Sequence, residues 1–156
     1  MNKWKQEILQ HQLGSIAFVQ SLHSLSEKDW RAPINEGKWT AAEIIGHLTP
    51  WDEFVLQKRL PYLSSECEFP ESPDVQAINA QSASMSRQQQ QQETISRFVS
   101  VREALYQAID ELPDDGWEVN YTIGTASVSL YEYFKGLAEH DLHHFEQIKQ
   151  VLPLVK

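Results

Sequence analysis

Apolar positions recur at spacings of three and four along most of this chain, with polar residues between them, which is the signature of helices that bury one face. The first run is Trp4, Ile8, Leu9, Leu13, Ile16, Ala17, Val19 and Leu22, and it predicts a helix over Trp4–Leu25. Ser26 to Lys38, carrying Pro33 and Gly37, reads as a connection in which Trp30 packs down on the rest of the protein. Thr40-Ala41-Ala42-Glu43 has the capping-box form, so a second helix starts at Ala41. Pro50 removes an amide and clashes with the carbonyl of Gly46, which predicts a kink, or a restart with Thr49 as a second cap, just after His47. Pro61 to Pro73 holds three prolines with serines and acids and reads as a long crossing loop. The glutamine run Gln88–Gln92 reads as the solvated start of a third helix, which continues through Ile95, Phe98, Val99, Arg102, Leu105, Ile109 and Leu112 and ends at Pro113-Asp114-Asp115-Gly116. A connection over 114–128 follows, and Ser129-Leu130-Tyr131-Glu132, another capping box, opens a fourth helix over Leu130–Val151. Four long helices joined in this way predict an all-α, antiparallel four-helix bundle with long connections.

Length and charge narrow the picture. A chain of 156 residues predicts one domain, 1–156, able to bury a core without disulfides or a structural metal. The formal charge is -9, and basic residues cluster no more densely than Lys58-Arg59, which argues against nucleic-acid binding. No apolar run approaches the roughly 18 residues needed to cross a bilayer, and Met1–Glu7 has no signal-peptide core, so the expectation is a cytoplasmic protein without membrane association. The lone Cys67 excludes an intrachain disulfide; acidic neighbours raise rather than lower its thiol pKa, so a nucleophilic role is not expected.

The candidate chemistry lies in the histidines. In Glu139-His140-Asp141-Leu142-His143-His144-Phe145-Glu146-Gln147-Ile148, His140 and His144 are one turn apart and about 40° apart around the axis, close enough for one metal ion. Leu130, Tyr133, Leu137, Ile148 and Val151 centre about 70° from His140, with His144 at about 40° and His143 at about -60°, so His140 and His144 form the inward pair. A third ligand has to come from elsewhere, and His47, on the edge of the buried stripe of the second helix, is the candidate. Asp141 also falls within the apolar stripe, where a carboxylate is costly unless paired, and Gln147 shares the histidines' side. His11 and His23 read as surface or boundary residues of the first helix.

The stretches Trp39-Thr40-Ala41-Ala42-Glu43-Ile44-Ile45-Gly46-His47-Leu48 and Glu139–Ile148 resemble the DinB-like family of four-helix-bundle metalloproteins. That superfamily includes YfiT-type proteins and bacterial S-transferases that use low-molecular-weight thiols. The resemblance implies a metal triad of one histidine from the second helix and the first and last of an H-x-x-x-H in the last, which fall here on His47, His140 and His144. It further implies a homodimer holding zinc or nickel.

Three imidazoles leave an open position, as in catalytic rather than structural zinc sites, and no Cys near the triad offers a fourth ligand. The reading is therefore a metal-dependent S-transferase using a low-molecular-weight thiol, or a related hydrolase, acting on a small-molecule substrate. Trp39, Trp117 and Tyr121 are expected to wall its pocket, and Gln147 or Asp141 to orient a ligand imidazole. The alternative is a non-catalytic metal-binding or dimerisation bundle. A degenerate H-E-x-x-H protease is disfavoured, because Asp141 is shorter than the glutamate which that motif needs.

Overall fold

The computed structural model describes residues 2–63, 69–123 and 125–152; Cys67 lies outside them. The first helix, α1 (Lys3–Ser21), starts where the Asn2 side chain accepts from the amides of Trp4 and Lys5. It ends earlier than the apolar pattern suggests, passing into a 3-10 turn at Leu22–Ser24 that still buries Leu22. A single helical turn, α2 (Glu27–Trp30), capped by Ser26, then delivers Trp30 into the interior, where it is fully buried.

Helix α3 (Ala41–Lys58) carries the expected capping box of Thr40 and Glu43, and it runs through Pro50 without restarting. Thr49 is buried inside it rather than serving as a second cap.

The chain then forms a helix absent from the periodicity argument. Helix α4 (Val75–Gln88), capped by Asp74, lies against α3 through small side chains: its buried residues are Ser82, Ala83 and Ser86. Gly46 makes the close approach possible, because a Cβ there would sit 2.7 Å from the Cβ of Ser86. Val75, Ile78 and Met85 recur at helical spacing, but Val75 and Met85 are exposed and the buried face is made of small residues, so the apolar residues do not mark the face that packs. The glutamine run is the joint that follows. Gln89 and Gln90 are both extended, and α5 (Gln91–Asp110) begins only after them.

A β-hairpin, β1 (Asn120–Ile123) with β2 (Ala126–Ser129), pairs Tyr121 with Val128 and leads directly into α6 (Leu130–Val151), whose capping box is Ser129 and Glu132. Among the described residues the protein is otherwise helical, apart from an isolated β-bridge between Pro33 and Thr40.

Side-chain contacts give the direction of each helix. Asn2 donates to the carbonyl of Asp114, and Gln91 donates to the carbonyls of Leu22 and Leu25, so α1 and α5 are antiparallel. One apolar cluster joins Val19 and Leu22, the Ala41–Leu48 end of α3, Ile95 and Phe98, and Phe145 and Ile148. The other joins Ile8 and Leu9, Val55, Leu105 and Ile109, and Leu130 and Phe134. Hence α3 and α6 are also antiparallel, and the two antiparallel pairs stand side by side with α1 parallel to α6 and α3 parallel to α5. The parallel neighbours α3 and α5 need a return segment between them, which α4 supplies.

Between the two apolar clusters all four bundle helices turn polar at the same level. The buried residues there are Gln12 on α1, Asp52 on α3, Arg102 on α5 and Asp141 on α6. No helix among the described residues is long and apolar enough to cross a membrane.

Candidate metal centre

His47 sits two turns into α3, where the Thr40–Glu43 box fixes the start of the helix, and only 2% of it is exposed. Its Nδ1 lies against the carbonyl of Ile44. A carbonyl only accepts, so Nδ1 carries the proton and the lone pair is on Nε2. On α6, Nδ1 of His144 donates to Oε1 of Gln147 at 3.0 Å, again leaving Nε2 as the free acceptor. A side chain or carbonyl that takes up Nδ1–H in this way is the usual means of orienting an imidazole toward a metal.

The ring of His47 lies 5.9 Å from that of His140 and 4.9 Å from that of His144, and the two α6 rings are 4.7 Å apart. One ligand atom from each of the three lies within 4.8 Å of the others. Small side-chain rotations bring such a set to the roughly 2.0–2.1 Å that zinc requires. His143 is exposed and outside the group; His140, expected inward with His144, is exposed as well but belongs to the group, and His144 is half-buried.

Electrostatics favour the metal-binding protonation state. Burial, reinforced by the neighbouring imidazoles of His144 and His140, lowers the pKa of His47 to about 4 against the opposing bond to Ile44. His144 is also lowered, first by burial. Neutral imidazole is the ligating form, so His47 and His144 do not surrender a proton to bind at neutral pH.

A cavity of about 350 Å³ borders the cluster, lined by Ile34, Lys38, Trp39, Ile44, His144 and Gln147 among others. Its far wall is the 34–39 loop, a tight turn in which Gly37 takes φ 72 and Ile34 N–H donates to the carbonyl of Trp39. Trp39 lies 4.8 Å from the His47 ring.

Three expected contributors are placed elsewhere. Trp117 is fully buried 5.7 Å from Phe134 in the far apolar cluster, and Tyr121 lies 6.2 Å from Phe69 at the hairpin, so of the three expected walls only Trp39 lines this cavity. Their connection folds as a hairpin against the opposite end of the bundle. The Asp141 carboxylate has its hydrogen-bond partners outside the three imidazoles. It accepts from Arg102 Nη1 at 2.8 Å and pairs with His11 Nε2 at 2.9 Å, because the polar level of the core faces it from α5 and α1.

The Arg102 assembly has a signal in the sequence, since Arg102 and Asp141 each fall in phase with an apolar stripe, but neither residue alone reveals its partner. Burial pushes the Asp52 carboxyl up to about 6, against the pull of Arg102. Asp141 is held below the usual carboxylate range; burial works against this, and Arg102 and His11 overcome it.

No curated protein matches the chain. Among solved structures, YfiT from Bacillus subtilis, described as a probable metal-dependent hydrolase with an unusual four-helix bundle topology, superposes with a TM-score of 0.79 at 15% identity, over 97% of this chain and 87% of that one. A mycothiol-dependent maleylpyruvate isomerase gives 0.71 at 13% identity, over 95% of this chain and 63% of that one. A histidine variant of that isomerase gives 0.70 at 14%. At such identities these likenesses establish the fold. Family membership rests on sequence: the DinB superfamily model matches residues 16–148, which include every residue of the histidine cluster, and the chain belongs to that superfamily.

Proposed function

We propose that this protein is a divalent-metal-dependent enzyme with His47, His140 and His144 as the metal ligands, acting as an S-transferase on a low-molecular-weight thiol or as a related hydrolase. The observation that carries the reading is the convergence of the three histidines, with the Nδ1 protons of His47 and His144 directed to Ile44 and Gln147, away from the cluster. Three neutral imidazoles leave a coordination position open, where a water titrates near 7 on zinc or a thiol binds as thiolate. The fold likeness to a protein described as a probable metal-dependent hydrolase and to a mycothiol-dependent isomerase supports both branches. Imidazole suits zinc and nickel alike.

In this reading His144 and Gln147 face the cavity through which a small molecule reaches the open position, and Trp39 offers it an aromatic wall. The test is to load the protein with cobalt and titrate it with cellular thiols. A sulfur-to-metal charge-transfer band that His144→Ala abolishes is expected for the transferase. A cobalt spectrum that no thiol changes would overturn the transferase branch and leave hydrolysis, to be assayed with ester and amide substrates.

A further inference from the structure

Arg102 is 2% exposed, and its guanidinium is shared between two helices. Nε and Nη2 donate to the two carboxylate oxygens of Asp52 at 2.8 and 3.1 Å; Nη1 and Nη2 donate to Asp141 at 2.8 and 3.3 Å. The ring of Phe98 lies 4.7 Å from the guanidinium carbon, and His11 pairs with Asp141 at 2.9 Å, so one connected group draws on all four bundle helices. Asp52 follows His47 on α3 by little more than a turn, and Asp141 directly follows His140 on α6.

We propose that Arg102 is a positioning residue for the histidine cluster: by holding Asp52 and Asp141 at once, it sets the axial register at which His47 of α3 meets His140 and His144 of α6. The inference rests on the metal-binding reading given above.

Two physical points lead there. A buried ion pair is a poor source of stability, because desolvating its charges offsets most of their attraction, and well-packed apolar residues often do as well. What it adds is direction. A guanidinium fork matches carboxylates in one geometry, whereas an apolar layer tolerates sliding of one helix past another. Arg102 is hydrogen-bonded to α3 and α6 at once, and the two apolar clusters lie on either side of this level. Metal ligation, in contrast to packing, demands placement within about 0.5 Å. The register device thus lies beside the histidine cluster, a feature that needs a register.

The test compares metal affinity with folding. Cobalt affinity, from competition against a chelator, and the far-ultraviolet circular dichroism of the metal-free protein are measured for wild type, Arg102→Lys, and the apolar triple Asp52→Leu, Arg102→Met, Asp141→Leu. The triple leaves no orphaned carboxylate or guanidinium in the layer, so its helices are expected to persist while cobalt affinity falls about 10- to 100-fold, the range seen when the groups supporting metal ligands are removed. Arg102→Lys keeps the charge and loses the fork, and should lose about threefold or more. Folded variants that bind cobalt within about twofold of wild type would overturn the inference and leave Arg102 a purely structural residue. If the triple does not fold, Arg102→Lys decides on the same threshold. A wild-type protein whose cobalt binding is indifferent to His144→Ala would overturn the metal reading itself, and this inference with it. Cobalt binding that requires His144 but not Arg102 would overturn the inference alone.

Discussion

Replacing Gly46 by alanine tests the packing of α4, the helix that makes the parallel placement of α3 and α5 possible. The new Cβ would meet the Cβ of Ser86 at 2.7 Å, with the Ser82 carbonyl oxygen at 3.6 Å. Carbon atoms in contact prefer about 3.5–4.0 Å, so α3 and α4 have to part by about 1 Å. The Ser86 hydroxyl, 3.3 Å away, can rotate aside, but the Cβ that carries it is fixed to the α4 backbone and cannot. Overpacking of this kind costs about 1–3 kcal/mol, against a gain of up to about 1 kcal/mol from the helix propensity of alanine over glycine. The net expectation is a destabilisation of about 1–2 kcal/mol, read by urea denaturation, or a fall of roughly 2–8 °C in Tm for a chain of this size. Gly14 and Gly136 are internal controls: both are helical and exposed, and a Cβ at either meets nothing within 4 Å. Alanine at these positions should stabilise by about 0.5–1 kcal/mol. Combining Gly46→Ala with Ser86→Gly should cost less than the sum of the two, because the second change removes the atom struck by the first. If Gly46→Ala proved as stabilising as Gly14→Ala, the close approach of α3 and α4 would be refuted.

Three further outcomes are expected. Metal-free protein should keep its helical circular dichroism, since two apolar clusters hold the bundle; adding metal should stabilise only by mass action, about 2.7 kcal/mol at 100 times Kd. Collapse of the helical signal on chelation would contradict this. Gln147→Leu frees the Nδ1–H of His144 and should weaken metal binding roughly tenfold with little change in metal-free stability, checked by chelator competition. Metal-free stability should fall between pH 7 and about 6: unfolding releases His47 from about 4 to its ordinary 6.5, so the unfolded chain binds more protons in that window, and His144 adds to the effect with the same sign. Below about 6 the raised Asp52 works in the opposite direction, since the folded state then takes up the proton first, and the pH dependence should flatten. Urea midpoints across this range, flatter between pH 7 and 6 in His47→Gln than in wild type, would confirm the assignment; an identical slope would refute it.

The sequence by itself determined the elements whose signals are local. Thr40 with Glu43 and Ser129 with Glu132 are capping boxes complete within four residues, and both helices start where those residues say. The 3.6-residue phase of α6 distinguishes His144 from His143 because the apolar stripe of the same helix supplies the reference direction. The resemblance to the DinB-like family rests on the same two segments, so fold class and candidate site were legible together.

What only the tertiary structure decided depends on contacts between distant segments. Helix α4 packs through Ser82, Ala83 and Ser86 against Gly46, whereas its larger apolar residues Val75 and Met85 are exposed, so only the tertiary contact shows which face is buried. Continuity through Pro50 is likewise settled outside the segment, where the packing of α3 against its neighbours overrides a local breaker. Trp117 illustrates the reverse case. Its type suggested a pocket wall, but the hairpin that follows it docks at the far end of the bundle and buries it against Phe134. The partner of Asp141 is 39 residues away in the chain: a carboxylate in an apolar stripe needs a counter-ion, and only the packing of α5 in the bundle shows that Arg102 serves it and Asp52 together.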